Sequence, residues 1–381
     1  MEMEEKVQNQ VSGHRCAGLC ARCPRAGHCP TRRAADSSPV LLAGKRPNSS
    51  ARQEDGIGFA VDIGSTTLAL ALYDLRTGAL LAEKGCRNPQ TAIAADVIGR
   101  IAAAAASPSG LNQLQRLVMD ALGSLLAEAC AAVPCTPAEL VDGVVTGNTV
   151  MLHLLTGRDP DALGHAPFHA EWLAGETIEL FGHPVWLPPC VGAFVGADHV
   201  TALIAGNFTP EGPTALLCDL GTNAEVALRA NGVLYTTSTA AGPAFEGGDI
   251  SCGMRATTGA VDACALDPET LTPTLSVIGG GKPLGLCGSG LIAMIGELYR
   301  VGAIDARGRF IRENPRISHD EYDGAAFTVA TAEESGTGRP IELDESDVDD
   351  FIRAKAAIFS AVRTMLGSLG MTVADIDRVI L

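Results

Sequence analysis

Phe59-Ala-Val-Asp-Ile-Gly-Ser-Thr-Thr67 and, about 157 residues further along, Leu216-Leu-Cys-Asp-Leu-Gly-Thr-Asn223 decide the fold of this chain. Each is an apolar strand run that closes on an Asp, then a Gly, then small hydroxyl or amide residues. The first copy continues through a strand at Leu68 to Leu72, a turn at Arg76-Thr77-Gly78 and a strand at Ala79 to Ala82. The second repeats this with Glu225 to Leu228, a turn at Ala230-Asn231-Gly232 and Val233 to Thr237. Asp62 aligns with Asp219, Gly64 with Gly221, and Gly78 falls in the place of Gly232. A repeat of this length is too long for a solenoid unit. It predicts an α/β chain of two duplicated lobes facing each other across a cleft.

The chemistry of the repeated turn points the same way. Glycine leaves backbone N–H groups unhindered, and hydroxyls and a carboxylate follow, which suits a phosphate tail with bound Mg²⁺. The other reading of these residues is two ordinary hairpin turns with an Asp at a strand end. The duplication favours nucleotide binding. No P-loop competes, because Gly281-Lys282 runs into Pro283. Gly288-Ser289-Gly290-Leu-Ile-Ala293 opens an apolar helix at Leu291 to Tyr299 and matches the loose dinucleotide string. Nothing strand-like is expected close before it, so that fingerprint fails its context. Two readings remain: a helix N-terminus meeting phosphate or the nucleotide sugar, and a helix cap with close packing.

Composition narrows the classes. The 381 residues are 46% hydrophobic and carry a net charge of −16, which opposes binding to nucleic acid and to anionic membranes. Aromatics at 4% exclude a base-stacking platform. No apolar run approaches the ~18 residues of a spanning helix, and no signal-peptide core opens the chain, so a cytoplasmic protein is expected. Residues 1–53 hold nine basic and four acidic residues, a net of +5, against 19 basic and 40 acidic in the remainder. The domains expected are a cysteine-rich segment at 1–30, a flexible linker at 31–56, a first lobe at 57–205 and a second at 206–381.

Cys16, Cys20, Cys23 and Cys29 place four thiols within fourteen positions, a density that suits a shared Zn²⁺ or iron–sulfur centre. A structural zinc knuckle usually wants two C-x₂-C pairs, and only one is present, although His14 and His28 could substitute. The first three cysteines share the spacing of radical SAM enzymes, but the body does not read as their barrel. Uneven spacing, with prolines after Cys23 and Cys29, fits a cubane cluster better. Free or redox-paired thiols are the third reading. The other eight cysteines are scattered singly and read as small buried hydrophobes.

Asp62-Ile-Gly-Ser-Thr-Thr67 and Asp219-Leu-Gly-Thr-Asn223 resemble the two phosphate loops of the acetate kinase, sugar kinase, Hsp70 and actin superfamily, whose duplicated lobes are ribonuclease H-like. Further strings narrow the resemblance: Asn88-Pro-Gln90, Ala95-Asp-Val-Ile-Gly-Arg100, Thr146-Gly-Asn-Thr-Val-Met-Leu-His-Leu-Leu-Thr-Gly157 and Gly192-Ala-Phe-Val-Gly-Ala-Asp198. With Ser238-Thr-Ala-Ala-Gly-Pro-Ala-Phe-Glu-Gly247, Gly285-Leu-Cys-Gly-Ser-Gly290 and Ala354-Lys-Ala-Ala-Ile358, they resemble the reductive activators of corrinoid proteins, the RACo-type ATPases. The resemblance covers residues 57 to 381. It implies ATP hydrolysis coupled to transfer of one electron from an iron–sulfur cluster to a Co(II) corrinoid, regenerating Co(I) for methyl transfer.

The resemblance also assigns roles. Asp62 and Asp219 would hold Mg²⁺ and its waters. Ser65, Thr66 and Thr67 would hold the terminal phosphates from one lobe, and Gly221, Thr222 and Asn223 from the other. Gly288, Ser289 and Gly290 would meet the nucleotide. The four head cysteines would carry a [4Fe–4S] cluster. Asp198 is a third carboxylate near the metal or a helix N-cap; Asn148 lines the cleft or is a plain turn residue; His153 reads as a core histidine. Glu225 and Glu246 are candidate general bases. ATP energy would act through lobe closure rather than by phosphorylating anything. The partners implied are a corrinoid protein and an electron donor; dimerisation would follow from the superfamily and from no surface pattern in the sequence.

Two departures from the pattern stand out. Family members often carry a plant-type ferredoxin domain and a middle domain before the actin-like part, and here only the short cysteine head is expected in their place. The last helix should be capped by Ser346-x-x-Asp349, bury Val348, Phe351, Ile352, Phe359, Val362, Leu366 and Leu369, and end at Gly370. A buried strand then begins at Arg378, and the glycine turn that contacts adenosine in the superfamily would lie beyond Leu381, as in a truncated chain. Two other functions fit less well: a small-molecule kinase of the same superfamily with a zinc-binding head, and a nucleotide-sensing partner protein without turnover. The related activators of 2-hydroxyacyl-CoA dehydratases place their cluster cysteines between the lobes rather than in a head.

Overall fold

The computed structural model describes residues 55–321 and 324–381. The cysteine-rich segment and nearly all of the linker lie outside the described residues. The chain divides into two compact units that meet at Pro210 and Glu211.

The first unit is built on a six-stranded sheet. Its strands are β1 (Ile57–Ile63), β2 (Thr67–Asp74), β3 (Leu80–Arg87), β4 (Leu140–Gly147), β5 (Glu176–Leu180) and β6 (His183–Leu187). They stand in the order β3-β2-β1-β4-β6-β5, with β1–β2–β3 an antiparallel meander and β4 parallel to β1. Helices α1 (Val97–Ala105), α2 (Pro108–Ala131), α3 (Thr149–Thr156) and α4 (Ala197–Ala205) accompany it. In α2, Leu114, Val118, Leu122, Leu126 and Ala129 recur at helical spacing and are all buried with Ile63, Leu68, Leu70 and Leu72 of the sheet. Register is tight where β4 meets β1. Gly143 pairs with Phe59, and a Cβ there would fall 2.4 Å from the Phe59 ring, so only glycine fits.

The second unit repeats the core of the first. Strands β7 (Ala215–Leu220), β8 (Asn223–Ala230) and β9 (Val233–Ala240) form the same meander. Its turn is the two-residue Asn231-Gly232, both residues at positive φ, the type I′ geometry that Asn-Gly favours. A second layer follows: β10 (Ala260–Leu266), β11 (Pro273–Val277), β12 (Gly285–Leu286), α5 (Gly288–Arg300), β13 (Ile317–His319), β14 (Ala325–Ala330) and β15 (Ile341–Asp344). Helix α6 (Glu345–Ser368) then leads to β16 (Arg378–Ile380), which lies parallel to β7. The order β16-β7-β8-β9 mirrors β4-β1-β2-β3, so the sequence repeat is a repeat of sheet topology.

Helix α6 joins two cores. Val348 and Ala354 pack with the β10–β15 layer, while Val362, Met365 and Leu366 pack on β7 and β8. Its details differ from expectation. The cap is Asp344, whose carboxylate takes the Asp347 amide while Asp347 returns a bond to the Asp344 amide. Asp344 and Asp347 thus take the places expected for Ser346 and Asp349, and Asp347 is buried and also receives the Ser251 amide and hydroxyl. Phe359 is not in the core but half-exposed beneath the Arg363 guanidinium. The end at Gly370, at φ +69°, follows the sequence signal, with the Met371 amide bonded back to Leu366. Strand β16 forms where expected, but its side chains are largely exposed. Among the described residues no helix is long and apolar enough to cross a membrane.

In α4, His199 is fully buried, and neither ring nitrogen has a hydrogen-bond partner among the described residues. Burial alone pushes its pKa down to about 4 from 6.5. His153 is shifted in the same direction, chiefly by burial. A histidine held neutral in the fold contributes stability above pH 6.5 that is lost as pH falls toward 4. Lowering pH from 7 to 5 is expected to cost about 2 kcal/mol through His199. Urea unfolding at both pH values checks this, and His199→Leu should flatten the difference.

Candidate functional site

The two Asp-Gly turns occupy equivalent places in their sheets. Asp62 is the next-to-last residue of β1, paired with Ala69, and Asp219 is the next-to-last residue of β7, paired with Glu225. Both aspartates are exposed. The turns differ by one residue: Gly64 to Thr67 connects Ile63 with Leu68, and Gly221 to Asn223 connects Leu220 with Ala224.

In the first unit the turn is held from beneath. The Asn88 side chain donates to the Gly64 carbonyl at 2.8 Å and its amide to the Thr66 carbonyl at 2.8 Å. The Arg100 guanidinium donates to the Ser65 carbonyl, and the Gly64 amide closes the turn on the Thr67 carbonyl at 2.9 Å. A trans peptide points each carbonyl opposite to the next amide. Drawing in the carbonyls of Gly64, Ser65 and Thr66 therefore turns the amides of Ser65, Thr66 and Thr67 the other way, available to an anion.

Arg100 is fully buried, yet its bonds go to neutral groups: the Ala94 carbonyl, the Gln90 amide oxygen, the Met151 sulfur and Ser65. Burial lowers its pKa to about 10, so it remains a cation at neutral pH. Gln90 is itself buried, tied to Leu114 and to the Asn88 side chain. The strings Asn88-Pro-Gln90 and Asp96 to Arg100 are thus the brace of the first turn. The available signal for Arg100 was its place four residues before Ala104 on the buried face of α1.

Other sequence-marked residues join this brace. Asn148 caps α3 by accepting from the Met151 amide, and its NH₂ donates to the Ser65 hydroxyl at 3.2 Å. Ser65 is buried, so its hydroxyl serves the brace, while Thr66 and Thr67 remain half-exposed. Gly196 lies so close to Asn148 that a Cβ would stand 2.4 Å from its Cα. That contact brings Asp198, in the first turn of α4, into the same neighbourhood. The N-cap of α4 is Gly196 and not Asp198, whose carboxylate accepts from the His199 amide. His153 is a core residue: Nδ1 meets the Thr149 carbonyl and the ring stands edge-on to Trp172.

In the second unit the turn is held by the segment after β9. The Thr222 carbonyl accepts from the Ala241 and Gly242 amides. A 3₁₀ turn, Pro243–Glu246, then carries Glu246 back over the loop, where Oε1 accepts from the Thr222 amide at 2.8 Å and its hydroxyl at 3.0 Å. Burial and the Glu246 charge hold the Asp219 acid above the ordinary carboxylate range, although its side chain reaches solvent. Glu225, buried, accepts from the Ser238 hydroxyl at 2.9 Å. Sequence reading offered both glutamates as bases and missed that they are hydrogen-bonded to hydroxyls around this loop.

The glycines at the head of α5 are used for packing. A Cβ on Gly288 would fall 1.7 Å from the Phe245 carbonyl, and one on Gly290 would fall 2.0 Å from the Val261 carbonyl. Ser289 between them is exposed. The expectation that nothing strand-like precedes them is corrected by β12, two residues parallel to β10. Close packing requires glycine at both positions. Cys16, Cys20, Cys23 and Cys29 lie outside the described residues.

Comparison with known proteins follows this division. Residues 57–211 match the RACo middle region, and residues 213–381 match the C-terminal domain of RACo, described as the ASKHA domain. The first match corrects the expectation that no middle domain is present. The chain is 33% identical over 364 residues to the corrinoid activation enzyme RamQ of Eubacterium limosum, covering 90% of this chain and 60% of that one. It is 25% identical over 272 residues to a [Co(II) methylated amine-specific corrinoid protein] reductase of Methanosarcina barkeri, covering 61% and 46%. A solved reductive activator for corrinoid, iron–sulfur protein superposes with a TM-score of 0.79 at 36% identity, over 87% of this chain and 54% of that one.

Arg100 generates the prediction here. Replacing it with Ala leaves the Ser65 and Ala94 carbonyls without their donor and a cavity beneath the turn, at a cost of about 3 kcal/mol or more. Arg100→Lys should recover little, because one ammonium cannot reproduce the guanidinium fork. Denaturant midpoints of the two variants and the parent check both statements.

Proposed function

Because this chain belongs to the RACo family and carries its middle region and its C-terminal ASKHA domain, we propose that it is an ATP-dependent reductive activator of a corrinoid protein. It spans about half to three fifths of the length of the relatives it matches, so activity, substrate and partner are assigned here by chemistry and kinship together. The single observation that carries the nucleotide half of this reading is Thr222. Its amide and hydroxyl already hold a carboxylate oxygen, so the second turn is shaped for an anion.

The residues fit a metal-bound phosphate tail. Gly221, Thr222 and Asn223 would take phosphate oxygens in the second unit, and the outward amides of Ser65 to Thr67 supply the same chemistry in the first. Among the described residues no three His, Cys, Asp or Glu side chains gather closely enough to hold a metal alone. Mg²⁺ needs only one or two carboxylates and completes its shell with phosphate and water; in this reading Asp62 is the candidate in the first unit and Asp219 in the second. Asp198 is the third carboxylate of this reading. A bound Mg²⁺ would neutralise charge that builds on the phosphate tail during hydrolysis. Asp219, held above its ordinary range by burial and by Glu246, gains most from a cation beside it.

The four head cysteines would carry the iron–sulfur cluster that supplies the electron, and the Co(II) of the partner is the substrate reduced to Co(I). A cytoplasmic, homodimeric protein served by a separate electron donor completes the proposal.

Asp219→Ala and Asp62→Ala should each lower ATP turnover at least about a hundredfold while leaving the fold intact. Turnover within a few-fold of the parent in both would sink the assignment. Iron and zinc content with an anaerobic visible spectrum tests the head: about four irons with a band bleached by reductant are expected. A colourless chain with one zinc would contradict the electron-transfer reading.

A further inference from the structure

Glu246 has no role in the reading above, and its position gives it one. Its Oε1 takes both the amide and the hydroxyl of Thr222, the residue in the middle of the second loop. A Cβ on Gly221 would stand 3.0 Å from the same oxygen, so the carboxylate lies directly against the loop backbone. The segment that delivers it is fixed at both ends. Ala241 and Gly242 donate to the Thr222 carbonyl, and Gly247, at φ +73°, sits where a Cβ would be 2.6 Å from the Met254 carbonyl. The backbone is held, and the side chain between is the part that can rotate away.

Two consequences follow from charge. A phosphate oxygen entering the loop competes with Glu246 for the same two donors. Once displaced, the carboxylate remains on its fixed backbone, within electrostatic reach of Asp219. A bare phosphate tail thus meets two carboxylates and must also dislodge one of them. A tail that carries a divalent cation brings the charge that offsets both.

We propose that Glu246 is the specificity-determining residue that makes this loop prefer metal-bound nucleotide over bare nucleotide, by occupying the Thr222 donors until a cation-bearing phosphate displaces it. The proposal rests on the reading that the second loop holds nucleotide phosphates.

The test is calorimetric titration of ATP into the parent protein, Glu246→Gln and Glu246→Ala, once with Mg²⁺ and once with excess chelator. Gln can keep both hydrogen bonds from Thr222 and removes only the charge, so it separates charge from packing; thermal unfolding of each variant accompanies the titrations. The parent should bind ATP with Mg²⁺ far more tightly than without. Both variants should bind bare ATP about tenfold more tightly than the parent, with Mg²⁺–ATP affinity changed less than about threefold. The ratio of the two affinities should therefore fall about tenfold. A ratio unchanged in both variants overturns the role of Glu246, and so does weakened Mg²⁺–ATP binding, which would make Glu246 a ligand of the metal. A parent that binds ATP in neither condition overturns the nucleotide reading of the loop itself, a result distinct from either.

Discussion

At the end of the first strand of each unit the turn passes close against a glycine. A Cβ on Gly64 would stand 2.7 Å from the Thr67 carbonyl, and one on Gly221 would meet both Glu246 and the Asn223 carbonyl. This constraint shapes what surrounds it. The chain turns back within three or four residues, the preceding aspartate is left exposed at the strand end, and the turn's peptides are free to aim their amides one way. The two units satisfy the turn by different means. In the first, Asn88 and a buried guanidinium draw the carbonyls inward; in the second, backbone amides take the Thr222 carbonyl and a carboxylate takes its donors. The topology is duplicated and the bracing is not.

This asymmetry is chemically meaningful. A buried arginine whose hydrogen bonds all go to neutral groups is costly to desolvate, and what it gives in return is the position it fixes rather than net stability. Arg100 holds a main-chain carbonyl of the very turn whose amides must face outward. Glu246 instead places a negative charge where a ligand's negative charge would go. In one unit the turn carbonyls are drawn inward by side chains, and in the other the Thr222 amide and hydroxyl are already taken by a carboxylate of the same chain.

Much of this was legible in the residues. The turns after Asp62 and Asp219, the hairpin turn at Asn231-Gly232, the core position of His153 and the stop at Gly370 all follow from local pattern, because each depends on conformational preferences that act within a few residues. What was not legible depends on contacts distant in sequence. Asp347 became part of the α6 cap because Ser251, 96 residues earlier, supplies two further donors. At Gly288 and Gly290 the sequence left phosphate contact and close packing side by side, and the approach of the Phe245 and Val261 carbonyls that demands glycine there comes from residues distant in sequence. Glu246 could be named from its motif, but not its attachment to Thr222. The middle region was overlooked because its sheet repeats the order of the second unit, so pattern alone assigned both to one duplicated body.

If nucleotide chemistry at these turns drives reduction of a corrinoid, as we propose, the cobalt itself will report it. The cluster-loaded protein, a Co(II) corrinoid protein and a low-potential reductant are mixed without oxygen, and the visible spectrum is followed before and after adding ATP with Mg²⁺. Co(I) should accumulate only after ATP is added, and not with a non-hydrolysable analogue. Co(I) formed at the same rate without ATP, or none with it, would overturn the proposed coupling.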